Sequence, residues 1–432
     1  MENPRSPPGS VRRHGRNISH PTPRQTARGP LEEATDDPLA AGTQPSNSPS
    51  VPDETPSTAS GRGTASSTPQ LPAASASTTK PIISLHFLQD SDSYHQLFAD
   101  DIPKAFLDSE HQPSLDATVP ELLQGGHFRR AADKSLRDLL ASPSNAIEQI
   151  LQLLYTRLAC LTLISRPDLA AQEAIPLIDL LARSSAAGDD LLPLVPWELR
   201  LLLVRLQSIG AADGGRRGIM ALYALAGEVR ANLRSVQQNG DDASAALWAE
   251  RLQDLGLRVC DALVEMGELE TATRHLDTLK DVDADELAYR KALLRVRVGD
   301  VSGARLSASN ITDVSKKKGF EALLEVADGE YSVAVESFRN LMAEYPEDEQ
   351  FAQNAAVALL YTGKITSARD LLEDLASRTP VFPTLLFNLS TVYELCSERA
   401  PERKTALTEQ AAAKEPGPQS GGWERATFEF KL

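Results

Sequence analysis

The sequence predicts an all-α fold: a solenoid of helix-turn-helix repeats preceded by a long disordered tail. Three features lead there. Residues 315–382 repeat at a period of 34, apolar residues keep helical spacing from 119 to about 413, and the composition changes abruptly after Lys80.

Residues 1–80 hold 13 of the 28 prolines and no Phe, Trp or Tyr, the first aromatic being Phe87. A stretch so rich in Ser, Thr, Pro and Ala buries too little apolar surface to offset the entropy of ordering it. Its first 30 residues are basic (Arg5, Arg12, Arg13, Arg16, Arg24, Arg28) and its next 30 acidic (Glu32, Glu33, Asp36, Asp37, Asp53, Glu54). The basic start suggests a mitochondrial transit peptide, but Pro4, Pro7, Pro8, Pro21 and Pro23 are incompatible with the amphipathic helix such a peptide needs. Ser6, Thr22, Ser48, Thr55 and Thr68 each precede proline and are candidates for proline-directed phosphorylation.

Residues 81–118, with one apolar cluster at 82–88 and scattered acids, read as a linker or docking segment. Residues 119–240 read as divergent helical repeats, 241–415 as the regular array and 416–432 as a C-terminal tail. The alternative is a globular helical domain over 119–236 followed by a shorter array. Helices are expected at 146–163 and 167–181, from Pro196 onward, and at 219–236, 242–266 and 287–298. A Gly-x-apolar turn followed by a small residue recurs at Gly126, Gly267, Gly299, Gly329 and Gly363, the last four spaced by 32, 30 and 34 residues.

The repeat itself is carried by seven paired positions. Ala322 answers Ala356, Gly329 answers Gly363, Tyr331 answers Ile365, Ala334 answers Ala368, Phe338 answers Leu372, Leu341 answers Leu375 and Pro346 answers Pro380. Glycine fits the turn after the first helix, where φ is positive. The alanines leave room for two helices to cross closely. The larger residues face the next unit, and proline ends the second helix. Period and pattern together are those of tetratricopeptide repeats, which make protein-binding scaffolds.

Residues 81–432 carry a net charge near −17, because the tail contributes 8 basic and 7 acidic residues to a total of −16. Such a surface repels phosphate backbones, so nucleic acid is not an expected partner. No apolar run reaches the roughly 18 residues of a membrane span. Cys160, Cys260 and Cys396 have neither disulfide nor zinc spacing and are expected as buried thiols. The tripeptides at Asn17, Asn310 and Asn388 match the glycosylation pattern by chance.

No catalytic, metal or cofactor set is expected, and no small-molecule ligand. Five of the seven histidines (His14, His20, His86, His95, His111) fall in the tail and linker, His127 lies in the first turn, and His275 is expected at a surface or partly packed. Lys316, Lys317 and Lys318 suit a phosphate or, more simply, a solvated helix face. Glu347, Asp348 and Glu349 favour the N-terminus of the next helix. The Ala-rich helix 350–361, with Asn354 as its one candidate carboxylate ligand, argues against chaperone docking.

The stretches NAAVALLYTGK, LLFNLSTVYELCSERA and KTALTEQAAAKE, with VPWELRLL and LYTRLACL upstream, resemble the subunit-12 family of the TRAPP (trafficking protein particle) complex over about 119–415. The resemblance implies a non-catalytic subunit at Golgi and ER-exit membranes, bound to other TRAPP subunits within a Rab-exchange assembly. An adaptor of unrelated machinery, such as a cell-cycle ligase or a chaperone system, is the alternative.

Overall fold

A computed structural model describes residues 85–100, 102–187, 192–209, 215–396 and 399–418. The tail expectations for 1–80, and most of 416–432, lie outside them. Among the described residues there are 17 α-helices, three short 3-10 turns and no strand. The helices are α1 Lys104–Leu107, α2 Val119–Gln124, α3 Phe128–Ala141, α4 Ile147–Leu163, α5 Pro167–Ala187, α6 Trp197–Gln207, α7 Arg216–Asn239, α8 Asp242–Glu265 and α9 Leu269–Thr278. They continue with α10 Ala284–Val298, α11 Val301–Ala308, α12 Val314–Ala327, α13 Tyr331–Glu344, α14 Glu349–Tyr361, α15 Ile365–Arg378, α16 Pro383–Cys396 and α17 Ala400–Ala412. From α2 onward each helix packs chiefly on its sequence neighbours, the pattern of a solenoid.

One turn is used five times. Gly126, Gly267, Gly299, Gly329 and Gly363 have φ of 73°, 80°, 92°, 84° and 75°. The residue after each donates its N–H to the carbonyl five positions back, from His127 to Leu122, Glu268 to Leu263, Asp300 to Arg295, Glu330 to Glu325 and Lys364 to Leu359, all at 2.8–2.9 Å. This closes the first helix with a left-handed cap, and the second helix begins two residues past the glycine. At 267, 299, 329 and 363 a Cβ would meet nothing within 4 Å, so glycine is required by backbone conformation and not by space. An L-residue held there costs about 1–2 kcal/mol.

Helix starts are fixed by aspartates. Asp241, Asp300, Asp313 and Asp348 accept from the backbone N–H of Ser244, Gly303, Lys316 and Gln350 at 2.8–3.1 Å. Within the acidic run after Pro346 it is therefore Asp348 that caps α14.

Packing follows the small-large alternation. Ala334 and Ala368 are fully buried at the crossings, and Phe338, Leu341, Leu372 and Leu375 join them in one cluster with α14 and α16. Tyr331 stacks on Tyr361 with centroids 4.7 Å apart, joining the start of α13 to the end of α14. Pro346 and Pro380 lie two residues past the ends of α13 and α15.

His275 differs from expectation. It is buried, its Nε2 donating to the Gly256 carbonyl at 2.9 Å, because α8 and α9 cross at that glycine. In the lysine run, Lys318 is held by both carboxylate oxygens of Glu344, at 2.7 and 2.8 Å, and Lys317 reaches the Ser309 carbonyl at 3.4 Å. Cys160 and Cys260 are buried, whereas Cys396, expected to be buried as well, is only half-buried; burial pushes the Cys260 thiol up to about 11.

Ala368→Glu forces a carboxylate into a crossing with no partner. The expected loss is about 4 kcal/mol of stability. Thermal denaturation reads it, and a melting curve superimposable on wild type would show that the α14–α15 crossing is not where the structure puts it.

Candidate interaction surface

Residues 85–118 are where the array departs from nearest-neighbour packing. Leu85 and Leu88 bury themselves with α3, α4 and α5, whereas Ile102 and Phe106 belong to the cluster of α13 to α17. The segment is thus a strap that touches both the first and the last helices. Polar contacts follow the same path. Gln89 Nε2 donates to the carbonyls of Leu139 and Ser142 at 3.1 and 2.6 Å, capping the end of α3. Arg130 donates to the Pro113 carbonyl at 2.9 Å. At the far end α1 packs on α17, Ser109 Oγ donates to the Ala412 carbonyl at 2.6 Å, and His111 Nε2 donates to that of Ala413 at 3.1 Å. Two carbonyls left over at the α17 terminus are satisfied in this way.

Between these ends the strap is gripped by a buried ion pair. Arg157 of α4 and Glu173 of α5 are both withdrawn from water and meet two-pronged, Nε to Oε2 at 2.9 Å and Nη2 to Oε1 at 2.8 Å. The pair then holds His95 by its backbone, and the ring Nδ1 also lies 3.4 Å from Glu173 Oε1. The His95 N–H donates to Glu173 Oε1 at 2.9 Å and its carbonyl accepts from Arg157 Nη2 at 2.7 Å. Arg157 Nη1 reaches the Ala132 carbonyl at 3.3 Å and Asp133 Oδ1 at 3.5 Å. The Tyr94 ring lies 6.0 Å from the guanidinium carbon, and its hydroxyl donates to the Leu88 carbonyl at 2.6 Å. Burial, with the charge of Glu173, raises the Tyr94 hydroxyl well above its usual value, which keeps it a donor.

The sequence pattern singles out neither Arg157 nor Glu173, and leaves 81–118, with His95 and His111, as a linker or docking segment. In the structure both histidines sit on a strap bonded to the array. The missed signal was position. Ile150, Leu154, Arg157 and Leu161 follow one helical stripe, and a charge on a buried stripe needs a buried partner.

The positions that define the repeat do not converge on a pocket. Ala322, Ala334, Phe338, Ala356, Ala368 and Leu372 are core, Gly329 and Gly363 are turns, and Pro346 and Pro380 follow helix ends. Among the apolar side chains the array leaves exposed are Val357 and Tyr361 of α14, one turn apart, and Phe387 and Leu395 of α16, two turns apart. Asn388 of α16 donates to Gln353 of α14 at 2.9 Å and ties these helices together. Among the described residues no cluster of His, Cys, Asp and Glu is able to hold a metal ion, and no helix is long and apolar enough to cross a membrane.

No family model matches the chain. Over 249 residues, 51% of its length, the sequence is 26% identical to trafficking protein particle complex subunit 12 of Homo sapiens, a match covering 34% of that protein. The Mus musculus protein of the same name matches at the same identity and length, over 31% of its own chain. The chain therefore spans about a third of the length of the curated relatives it matches. These relatives are the ones the C-terminal motifs resemble. Among solved structures, a tetratricopeptide repeat protein of Parabacteroides merdae aligns with TM-score 0.36 and 15% identity, over 60% of this chain and 89% of that one. The tetratricopeptide domain of P58(IPK) aligns with TM-score 0.20 and 15% identity, over 72% and 96%.

Arg157→Met leaves Glu173 buried without its partner and is expected to cost about 3–5 kcal/mol, read by urea denaturation. The double variant Arg157→Met with Glu173→Leu removes both charges and regains most of that loss. Single variants within about 1 kcal/mol of wild type would contradict the buried pairing.

Proposed function

We infer that the chain is a non-catalytic scaffold subunit of a TRAPP-type vesicle-tethering and Rab-exchange complex, acting in ER-to-Golgi and Golgi traffic. It works from the cytoplasmic side as a peripheral component and binds other subunits of the complex. The observation that carries this reading is the 249-residue similarity to trafficking protein particle complex subunit 12. The helical array supports it, because stacked repeats offer a long surface for other proteins and the exposed side chains of α14 and α16 give that surface apolar contacts. The chemistry of exchange then belongs to other subunits, and this chain contributes position.

Affinity purification of the full chain from cells of its own species, with the co-purifying proteins identified and quantified, tests the assignment. Recovery of small Rab-exchange subunits in fixed proportion to the chain is the expected result. Their consistent absence, with members of a ligase or chaperone assembly in their place, would overturn it.

A further inference from the structure

Two of the three tryptophans and one arginine form a cluster on the middle of the array, away from the strap contacts and from the exposed faces of α14 and α16. Trp197 opens α6 and Trp248 lies in the first third of α8, their rings meeting edge-on with centroids 6.2 Å apart. Arg251, one turn past Trp248, lies over both indoles, its guanidinium carbon 4.8 Å from one centroid and 4.7 Å from the other. All three residues are half-buried. Arg200 also lies over Trp197, at 5.7 Å, but it is neutralised by Glu228.

Arg251 has no such partner. Among the described residues no carboxylate or carbonyl accepts from it, whereas Arg258, two turns on, is paired with Asp254 at 2.7 Å. The two rings are nearly perpendicular, so the planar guanidinium lies flat on at most one of them, and an arginine held in this way keeps N–H donors that can bond outward. Two indoles therefore restrict where the Arg251 guanidinium sits, which lowers the ordering cost of binding to it. Leu247, on the same side of α8 one turn before Arg251, is exposed. Trp and Arg side by side, half-buried and bordered by an apolar residue, is the composition of an interface hot spot.

We propose that Trp197, Trp248 and Arg251 are a docking anchor for a separate protein that presents an Asp or Glu beside apolar side chains. The carboxylate takes the Arg251 fork two-pronged, and its apolar neighbours cover the indole edges and Leu247. The charge of the site selects this occupant: the guanidinium is cationic and, among the described residues, unpaired, while residues 81–432 carry a net charge near −17. A second copy of this chain brings that same negative charge and is repelled overall. The acidic stretch 31–60 carries its carboxylates among Pro, Ala, Ser and Thr without one aromatic, and does not match the indoles. The proposal shares with the scaffold reading only the expectation of a protein partner.

The test places a photoreactive benzoylphenylalanine at Leu247 of the full chain, in cells of its own species, and identifies what is crosslinked. One foreign protein is expected, joined through a segment holding Asp or Glu beside apolar residues. Arg251→Glu lowers its recovery by about tenfold or more, and changing the partner's carboxylate to Lys restores it. That rescue separates docking from misfolding, since a misfolded chain is not repaired by a change in its partner. Crosslinks only within this chain or to a second copy, no crosslink at all, or recovery unaffected by Arg251→Glu would each overturn the proposal. If the partner found is not a TRAPP-type subunit, the complex assignment falls and the anchor stands. If TRAPP-type subunits co-purify equally with Arg251→Glu, the anchor falls and the assignment stands.

Discussion

A guanidinium taken out of water has to recover its lost hydrogen bonds inside the protein, and the way Arg157 does so organises the rest of the molecule. Glu173 alone satisfies its charge but leaves donors over. The remaining donors are met by the backbone carbonyls of Ala132 and His95 and by the Asp133 carboxylate. Glu173 in turn takes the His95 N–H. The ion pair of α4 and α5 is complete only with the strap in place, so two charges that destabilise the bare array become a reason for the strap to stay.

A solenoid gains stability from contacts between neighbours, and its two ends are its weak points. The strap addresses both. Gln89 satisfies carbonyls at the end of α3, and Ser109 with His111 satisfies those at the end of α17, across 303 and 302 positions of sequence. Phe106 fills the apolar space beside α17 that a further repeat would otherwise cover. Between the ends, left-handed glycine turns close five of the helices and aspartate caps open four. Repeats of slightly different length therefore stack without a common spacing.

Much of this was legible in the sequence because the turn geometry is local. Positive φ at Gly329 or Gly363 follows from the residue and its immediate neighbours, and the order of small and large apolar residues in 315–382 follows from what two crossing helices admit. The strap was not legible in the same way. Residues 85–118 form no long helix, and their partners lie on helices remote in sequence, so periodicity carries no information about them. The clue lay on the partner side, where Arg157 interrupts a stripe of leucines. His275 was misplaced for a related reason, because its burial depends on Gly256 in the preceding helix letting α9 approach.

Hydrogen exchange of the full chain, resolved at the amide of His95 and at the last turn of α17, tests the strap most directly. The account predicts that the His95 amide is protected to the same degree as the core of α4, and that deleting 81–118 strips protection from the end of α17. A His95 amide exchanging at the rate of an unstructured peptide, or an α17 terminus indifferent to the deletion, would contradict it.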